Sequence, residues 1–438
     1  MSFNLLKRFD TKKGRFALVL ALMLPVLMIC LPAPGSAMEF KLGEKAQLDV
    51  DVHVQWSGAM RLKDPAAQNL ANVNGDDGNR NFDKGDLVNN LFGVTIDADL
   101  NFGDYGIFVR PRAYYDFAYS GDNANDSYFT NNNIINYGGP LTSTDKFMNQ
   151  TLNQHRDKVE VLDLYAYAGF DVAGQFLELR VGRQVVNWGQ GLFSILALGT
   201  AQNAADTTKF AIPGLELRDA YLPAGQASAL MSLPGNFSIG AYYMFEYVPN
   251  RLDEAGSYFS NTDYFLKSGR RAIVGGLGPL VGVEPAVDRR HYQEASDDGQ
   301  YGIALTYIAE WLMDTEFGLY FMNYHDKMPT PIVNNGFGGT RSFPDWGLIA
   351  PGPTGAFLNY FDDSSFDVVF QEDIKLYGFS FGTNVGDANI NGEIVYRQDA
   401  PVWVQDPASP FGLNTYQDTD VLKKGKQGKE KQRKQMKK

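Results

Sequence analysis

The side chains best placed for chemistry are a set of charges at alternate positions. Arg110, Arg112 and Asp116 share the polar side of one alternating segment. Arg180 shares the polar side of another, and Arg183 and Trp188 follow as its alternation ends. Rings of charge inside a pore select solutes by electrostatics. The four arginines would therefore orient an anionic head group, with Trp188 beside them. The competing reading is that they pair with nearby acids and stiffen a polar interior. A second candidate is NVNGDDGNRNFDKGD, which spaces oxygen donors at Asn72, Asn74, Asp76, Asn79, Asn81, Asp83 and Asp86. Calcium takes six to eight oxygens from a flexible loop. A calcium ion here would take Asn74, Asp76, Asn79, Asp83 and Asp86 as its ligands; no other cofactor is expected. Gly78 comes one position late for an EF-hand and the closing Glu is missing, so an Asx- and Gly-rich turn is the plain alternative. His53, His155, His291 and His325 are the four histidines. A hydrolase would draw on His53 or His325, although neither lies near a G-x-S-x-G motif. No H-E-x-x-H, P-loop or qualified dinucleotide fingerprint is present.

The chain is organised around QFLELRVGRQVVNWGQGLF, Gln175 to Phe193. Leu177, Leu179 and Val181 alternate with Glu178, Arg180 and Gly182, the period of a strand with one apolar face. The alternation stops near Trp188, and Gly189 and Gly191 predict a tight turn around Gln190. GRQVVNWGQG resembles the GRQ-x-x-x-WGE signature of the domain of unknown function 1302 family of Gram-negative envelope proteins, with Gln190 at the position of the family's Glu. NGDDGNRNFDKGD, PGLELRDAYLP, GSYFSNTDYF, LYGFSF and EIVYRQDAPV resemble the same family in the same order. The resemblance implies an outer-membrane β-barrel and brings no known reaction.

Composition agrees with that expectation. Tyr (23) and Phe (30) are abundant, as aromatic girdles require. Mean hydropathy is −0.27, too polar for a bundle of membrane helices and compatible with half-apolar strands. Met1 to Ala37 reads as a signal peptide. Lys7, Arg8, Lys12, Lys13 and Arg15 precede an apolar run, and Gly35-Ser36-Ala37 supplies small residues before the cut. An uncleaved anchor is the alternative, disfavoured by Pro25 and Pro32. The one cysteine, Cys30, lies in this segment, so the remainder has no disulfide and no thiolate metal site. Five Lys/Arg fall in residues 1–37 and nine in residues 421–438, leaving 25 basic against 49 acidic residues between them. So acidic a body argues against a nucleic-acid partner, which needs clustered cations.

The elements that position these residues follow from alternation. AQLDVDVHVQWSG and LFGVTIDADLNF read as strands, and the latter returns through Gly103-Asp104-Tyr105-Gly106 into a strand ending near Phe117. VLDLYAYAGF pairs with the strand from Gln175. Three further hairpins are ASALMSL with NFSIGAYYMFEYV, YGIALTYIAEWLM with TEFGLYFMNYH, and IKLYGFSFGT with ANINGEIVYR. Residues 120–157, 249–299 and 325–370 read as long loops. About ten strands joined alternately by short turns and long loops predict an all-β, antiparallel transmembrane β-barrel. A soluble sandwich or propeller is the alternative, though no fixed-length repeat is visible.

Three function classes follow. The first is an outer-membrane barrel that transports or handles a hydrophobic or amphipathic small molecule or lipid. In it, residues 191–225 fold into the lumen as a plug through Leu192, Phe193, Ile195, Leu196, Leu198 and Phe210, or else form an external loop with its own small core. The second is a barrel-borne hydrolase, and the third a structural or assembly protein that meets a periplasmic or export-system partner. The expected organisation is a signal peptide at 1–37, a barrel region resembling the family at 38–402 and, outside the family, a disordered polar and basic tail at 403–438. That tail lacks an amphipathic closing strand. The barrel is therefore expected to be incomplete, its first strand near Gln47 to Trp56 lacking a partner from the last hairpin.

Overall fold

The computed structural model describes residues 38–127, 145–191, 197–211, 220–264, 266–273, 286–334 and 364–401, with one pair of short strands further on. Residues 1–37, expected to be a signal peptide, Leu192, Phe193, Ile195 and Leu196, expected in a plug, and most of residues 403–438 lie outside the described residues.

Sixteen strands carry the fold. They are β1 (Met38–Leu42), β2 (Ala46–Met60), β3 (Leu87–Asn101), β4 (Tyr105–Asp116), β5 (Asp157–Val172), β6 (Gln175–Gln184), β7 (Ala224–Leu233), β8 (Phe237–Met244), β9 (Arg271–Ile273), β10 (Ala286–Gln293), β11 (Gln300–Ala309), β12 (Thr315–Tyr324), β13 (Thr330–Asn334), β14 (Ser365–Val369), β15 (Ile374–Val385) and β16 (Ala388–Gln398). Twelve form one antiparallel sheet in the order β1-β2-β3-β4-β5-β6-β7-β8-β11-β12-β15-β16. The protein is thus all-β. Among the described residues β1 pairs with β2 and β16 pairs with β15, so these two strands are the edges of the sheet.

Each strand obeys the two-residue period of a sheet whose faces differ. In β11, Tyr301, Ile303 and Leu305 are exposed while Gly302 and Ala304 are buried. Ile303 lies opposite Phe321 and Leu305 opposite Leu319 on β12, which continues the apolar surface sideways. In β16, Ile394 and Tyr396 are 72% and 64% exposed, and Glu393, Val395 and Arg397 take the other face. One face is therefore apolar and open, and the other carries the polar and charged side chains. In β4 that second face bears Arg110, Arg112, Tyr114 and Asp116, all buried. Pro111 stands inside this strand, where a missing N–H would break the ladder. The β4–β5 register shifts at that point, between Val109 and Pro111, and accommodates it.

Successive strands of the large sheet join alternately by tight turns and long connections. Gly103 (φ 96°) closes the β3–β4 turn. At the β7–β8 turn, a three-residue loop between Leu233 and Phe237, Gly235 (φ 78°) and Asn236 (φ 65°) supply consecutive left-handed residues, the conformation glycine and asparagine tolerate best. Because the strands are antiparallel, all the long connections leave from one end of the sheet.

Those connections are not simply loops, which corrects the reading of 249–299 and 325–370. They hold a second, four-stranded sheet in the order β9-β10-β14-β13, in which β10 and β14 run parallel. Ala272, Val287, Phe366 and Val368 form its core, with Tyr264 and Tyr292 packed against it. Segments such as AVDRRHYQ carry no sustained alternation, so their pairing is dictated by distant partners rather than by a local period. A third cluster, Phe82, Val88, Tyr119 and Phe147, ties the β2–β3 and β4–β5 connections together. Phe82 also meets Tyr258 edge-on at 5.6 Å.

Candidate functional site

After Gln184 the chain leaves β6 and returns across the buried face of the sheet. What fastens it is Glu393 on β16. Glu393 Oε2 accepts from the backbone N–H of Gln190 (3.2 Å) and Gly191 (3.0 Å), and its Oε1 accepts from Leu198 N–H (3.1 Å). Successive amides aimed at one carboxylate make an anion-binding concavity, and such charge-assisted bonds are the stronger kind. Glycine at 189 and 191 is what lets the carboxylate approach. A Cβ on Gly189 would lie 2.8 Å from Glu393 Oε2, and one on Gly191 would lie 2.7 Å from Oε1. Four residues along the same strand face, Arg397 donates to Ala197 O at 3.3 Å.

The held segment is then locked from within. Trp188 N–H donates to Gln202 Oε1 (2.9 Å), and Asn203 Nδ2 donates to Val186 O (2.8 Å). This places the short helix Leu198–Gln202 over the sheet. Leu198 is fully buried with Ala304, Tyr320, Met322, Ile374 and Leu376. Its methyl group sits where a Cβ on Gly378 would come within 2.5 Å. Trp188 lies across Gly240 and Gly302, whose Cβ positions would be 3.4 and 3.0 Å from the indole. Its rings meet Tyr242 at 5.0 Å and Tyr320 at 6.1 Å. Three glycines of the same sheet, on β8, β11 and β15, thus form the floor on which Trp188 and Leu198 rest. Of the residues expected to fill a lumen, Leu198 packs on the buried face of the sheet, whereas Phe210 is 59% exposed and does not join the cluster.

Beside Trp188 opens a cleft of about 190 Å³ lined by Glu178, Arg180, Gln184, Ser228 and Gly240 among others. Arg180 binds Glu178 (Nε to Oε1, 2.6 Å) and stacks over Tyr165 at 5.6 Å. Gln184 and Gln226 exchange side-chain amide to backbone carbonyl bonds of 3.1 and 2.8 Å, fixing the cleft's inner edge. The cleft thus combines an indole wall, amide and hydroxyl groups, and a guanidinium held by one carboxylate.

Of the residues singled out by sequence, Arg180 and Trp188 meet at this cleft; the others do not. Arg110 contacts Asp97 (3.1 Å) and Arg183 contacts Glu246 (3.3 Å). Arg112 binds Glu160 at 2.7 Å and lies 3.6 Å from Asp206. Arg251 joins the same two carboxylates at 2.6 and 3.4 Å. Lys209 lies over the Tyr114 ring at 4.1 Å, and burial lowers its ammonium to about 8. The arginines are therefore spread over separate ion pairs rather than gathered in one cationic patch. Asp116 accepts from Asn90 N–H, Ala118 N–H and Asn89 Nδ2 at 2.8–2.9 Å, which makes it the cap of the turn Phe117–Tyr119.

The expected metal set also divides. Asn74 exchanges two 2.7 Å bonds with the backbone of Ile273, and Asn79 Oδ1 accepts from Arg61 at 3.1 Å. Asp83 and Asp86 are exposed, Asp86 Oδ2 accepting from Asp83 N–H. Asp76 alone of the five joins a carboxylate cluster, with Asp77 and Asp263. The helical turn Asp77–Arg80 rotates successive side chains away from one another, so even spacing in sequence does not become convergence in space. Burial raises the carboxyls of both Asp76 and Asp263.

The histidines are held by their surroundings. His325 Nδ1 accepts from Asp373 N–H (3.1 Å) and its Nε2 faces Asp298 O (2.8 Å). His291 Nδ1 lies 2.8 Å from Asp367, and His53 Nε2 lies 3.9 Å from Asp97. His155 accepts from Glu254 N–H (3.3 Å) and stacks on Tyr119.

Glu393 escaped the sequence reading of the site. The signal was present: alternation puts Glu393 and Arg397 on the face opposite Ile394 and Tyr396, inside a family-like motif.

The fold and site together define an all-β protein with a large antiparallel sheet and a returning segment clamped on its polar face. The chain belongs to the family described as protein of unknown function (DUF1302), whose model matches residues 18–436. The match continues past Val402, where the quoted motifs end. No curated protein matches the chain.

Two outcomes test the geometry. Glu393→Gln leaves one neutral acceptor for three amides and should destabilise the fold by about 1.5–3 kcal/mol, the worth of a hydrogen bond to a charged group, read as a lower thermal midpoint. His155, lowered by burial from 6.5 to about 3, stays neutral in the folded state. Between those values the unfolded chain binds a proton that the folded chain refuses, so stability falls as pH drops through that window. His155→Phe should flatten the acid side of the midpoint-against-pH curve; an unchanged slope would show that His155 does not titrate this way.

Proposed function

We propose that the protein is an outer-membrane β-barrel, exported by the signal peptide Met1–Ala37, that binds and passes a hydrophobic or amphipathic small molecule or lipid through its lumen. The apolar, exposed face of the large sheet would meet lipid, and the polar face would line the lumen. Alternating strands with apolar residues outward are what a bilayer demands of a barrel. The arrangement of short turns at one end and long connections at the other supports the same reading. Trp311, 77% exposed in the turn between β11 and β12, suits an aromatic anchor at the lipid–water boundary.

The observation that carries the reading is the cleft beside Trp188, at the root of a segment clamped across the polar face. Cargo would rest its apolar body against Trp188 and offer its head group to Arg180 in exchange for Glu178. The segment after Trp188 is the obstruction, and Glu393 is its latch. Release of the three amides would open a path without moving the strands.

The test is fractionation of envelopes followed by single-channel recording on the purified protein. The chain should sit in the outer-membrane fraction, and deletion of residues 191–225 should raise conductance. Trp188→Ala should weaken binding of a long-chain carboxylate by roughly tenfold, which corresponds to about 1.4 kcal/mol. Recovery in another fraction, or conductance indifferent to the deletion, would refute the barrel-and-plug reading.

A further inference from the structure

Away from the clamped segment, two connections meet in a tight seam. Residues 74–81 pack against residues 256–263 so closely that a Cβ on Gly75 would lie 2.4 Å from Asn261 O, and one on Gly78 would lie 2.1 Å from Ser257 O. Asn81 Nδ2 donates to Gly256 O (2.7 Å), Asp263 N–H donates to Asn74 O (2.9 Å), and Asp77 N–H donates to Asp263 Oδ2 (3.1 Å). Arg61 braces the seam from behind, donating to the carbonyls of Asn79 and Phe82 at 2.8 Å each.

In this seam Asp76, Asp77 and Asp263 each place a carboxylate oxygen within 4.8 Å of the other two. All three are at most 1% exposed. Arg80 neutralises part of this charge through Asp76 Oδ2 at 2.6 Å. Asp76 Oδ1 and Asp263 Oδ1 are buried with no hydrogen-bond partner among the described residues, and so are Asn81 Oδ1 and Ser257 Oγ. A buried carboxylate oxygen without a donor costs several times what a satisfied one does. Here two of them belong to the cluster itself, and the amide and hydroxyl oxygens stand on the residues that form the seam.

We propose that this seam is a divalent-cation site of the calcium type. Asp76, Asp77 and Asp263 are its carboxylate ligands, and Asn81 and Ser257 supply neutral oxygens. The donor set is all oxygen, which selects a hard cation over zinc or copper. Several protein oxygens from two irregular loops suit the larger, geometrically tolerant calcium better than magnesium, which keeps most of its waters. A bound ion would pin the β2–β3 connection to the β8–β11 connection, segments about 180 residues apart, at the long-connection end of the sheet.

The probes are calcium and terbium on the full-length purified chain after treatment with chelator. Calorimetry should show one calcium per chain, terbium should give tyrosine-sensitised emission that calcium displaces, and chelator should lower the thermal midpoint reversibly. Asp76→Asn and Asp263→Asn should weaken binding at least about tenfold, since loss of even an outer-shell partner costs that much. Asp83→Asn with Asp86→Asn should leave it unchanged. Absence of binding heat and of a midpoint shift in the unaltered protein at millimolar calcium would overturn the site. So would binding lost in the Asp83 and Asp86 variant but kept in the other two. The measurements on the unaltered chain decide the matter even if a variant fails to fold.

Discussion

The carboxylate of Glu393 takes three backbone amides that no strand can satisfy. Gln190, Gly191 and Leu198 lie in a segment that has left the sheet and crosses its polar face, so their N–H groups need acceptors there. One side chain on β16 supplies them. The glycine floor at positions 240, 302 and 378 exists to receive Trp188 and Leu198, and it is useful only if the segment is held down at its turn. The cleft beside Trp188 is shaped by the same clamp. Without that carboxylate the segment would trade three charge-assisted bonds for water, and the packing of Trp188 and Leu198 with the few remaining hydrogen bonds would have to order it against chain entropy.

The family-like motifs, scattered along the sequence, meet in pairs. GRQVVNWGQG delivers two of the three amides and EIVYRQDAPV delivers the acceptor, some 200 residues later. NGDDGN provides the glycines and carboxylates of one loop, and GSYFSNTD provides the backbone and the third carboxylate opposite. Each motif looks like a turn when read singly, because its glycines and Asx residues are the usual turn formers. In the fold the glycines at 75, 78, 189 and 191 serve close approach between chains of residues, which a local reading does not reveal.

What was legible in the sequence follows from the same physics. The long strands were plain because a sheet with one apolar face writes its period into the residues, as Ile394 and Tyr396 against Glu393 and Arg397 illustrate. The tight turns at Gly103 and Gly235 were plain because left-handed backbone favours glycine. The short edge strand β1 was missed because five residues carry too little period. The second sheet was missed because β9, β10, β13 and β14 owe their pairing to one another, not to alternation. Among the site residues, charge type and face were legible for Arg110, Arg112 and Arg180, yet their partners Asp97, Glu160 and Glu178 come from neighbouring strands or from two residues away. Asp263 could not be joined to Asp76 without knowing that the two loops meet.

The central claim is that the segment after Trp188 lies folded on the polar face of the sheet, with Leu198 seated on Gly378. Paired cysteines test this most directly, since the chain has no cysteine beyond Cys30. The Leu198→Cys, Gly378→Cys variant should form an intramolecular disulfide under mild oxidation, because the Leu198 side chain lies within 3.3 Å of the Cβ position at Gly378 and disulfides require such proximity. A control pairing Leu198→Cys with Gly43→Cys should not. Equal cross-linking in both, or none in either, would contradict the clamped segment.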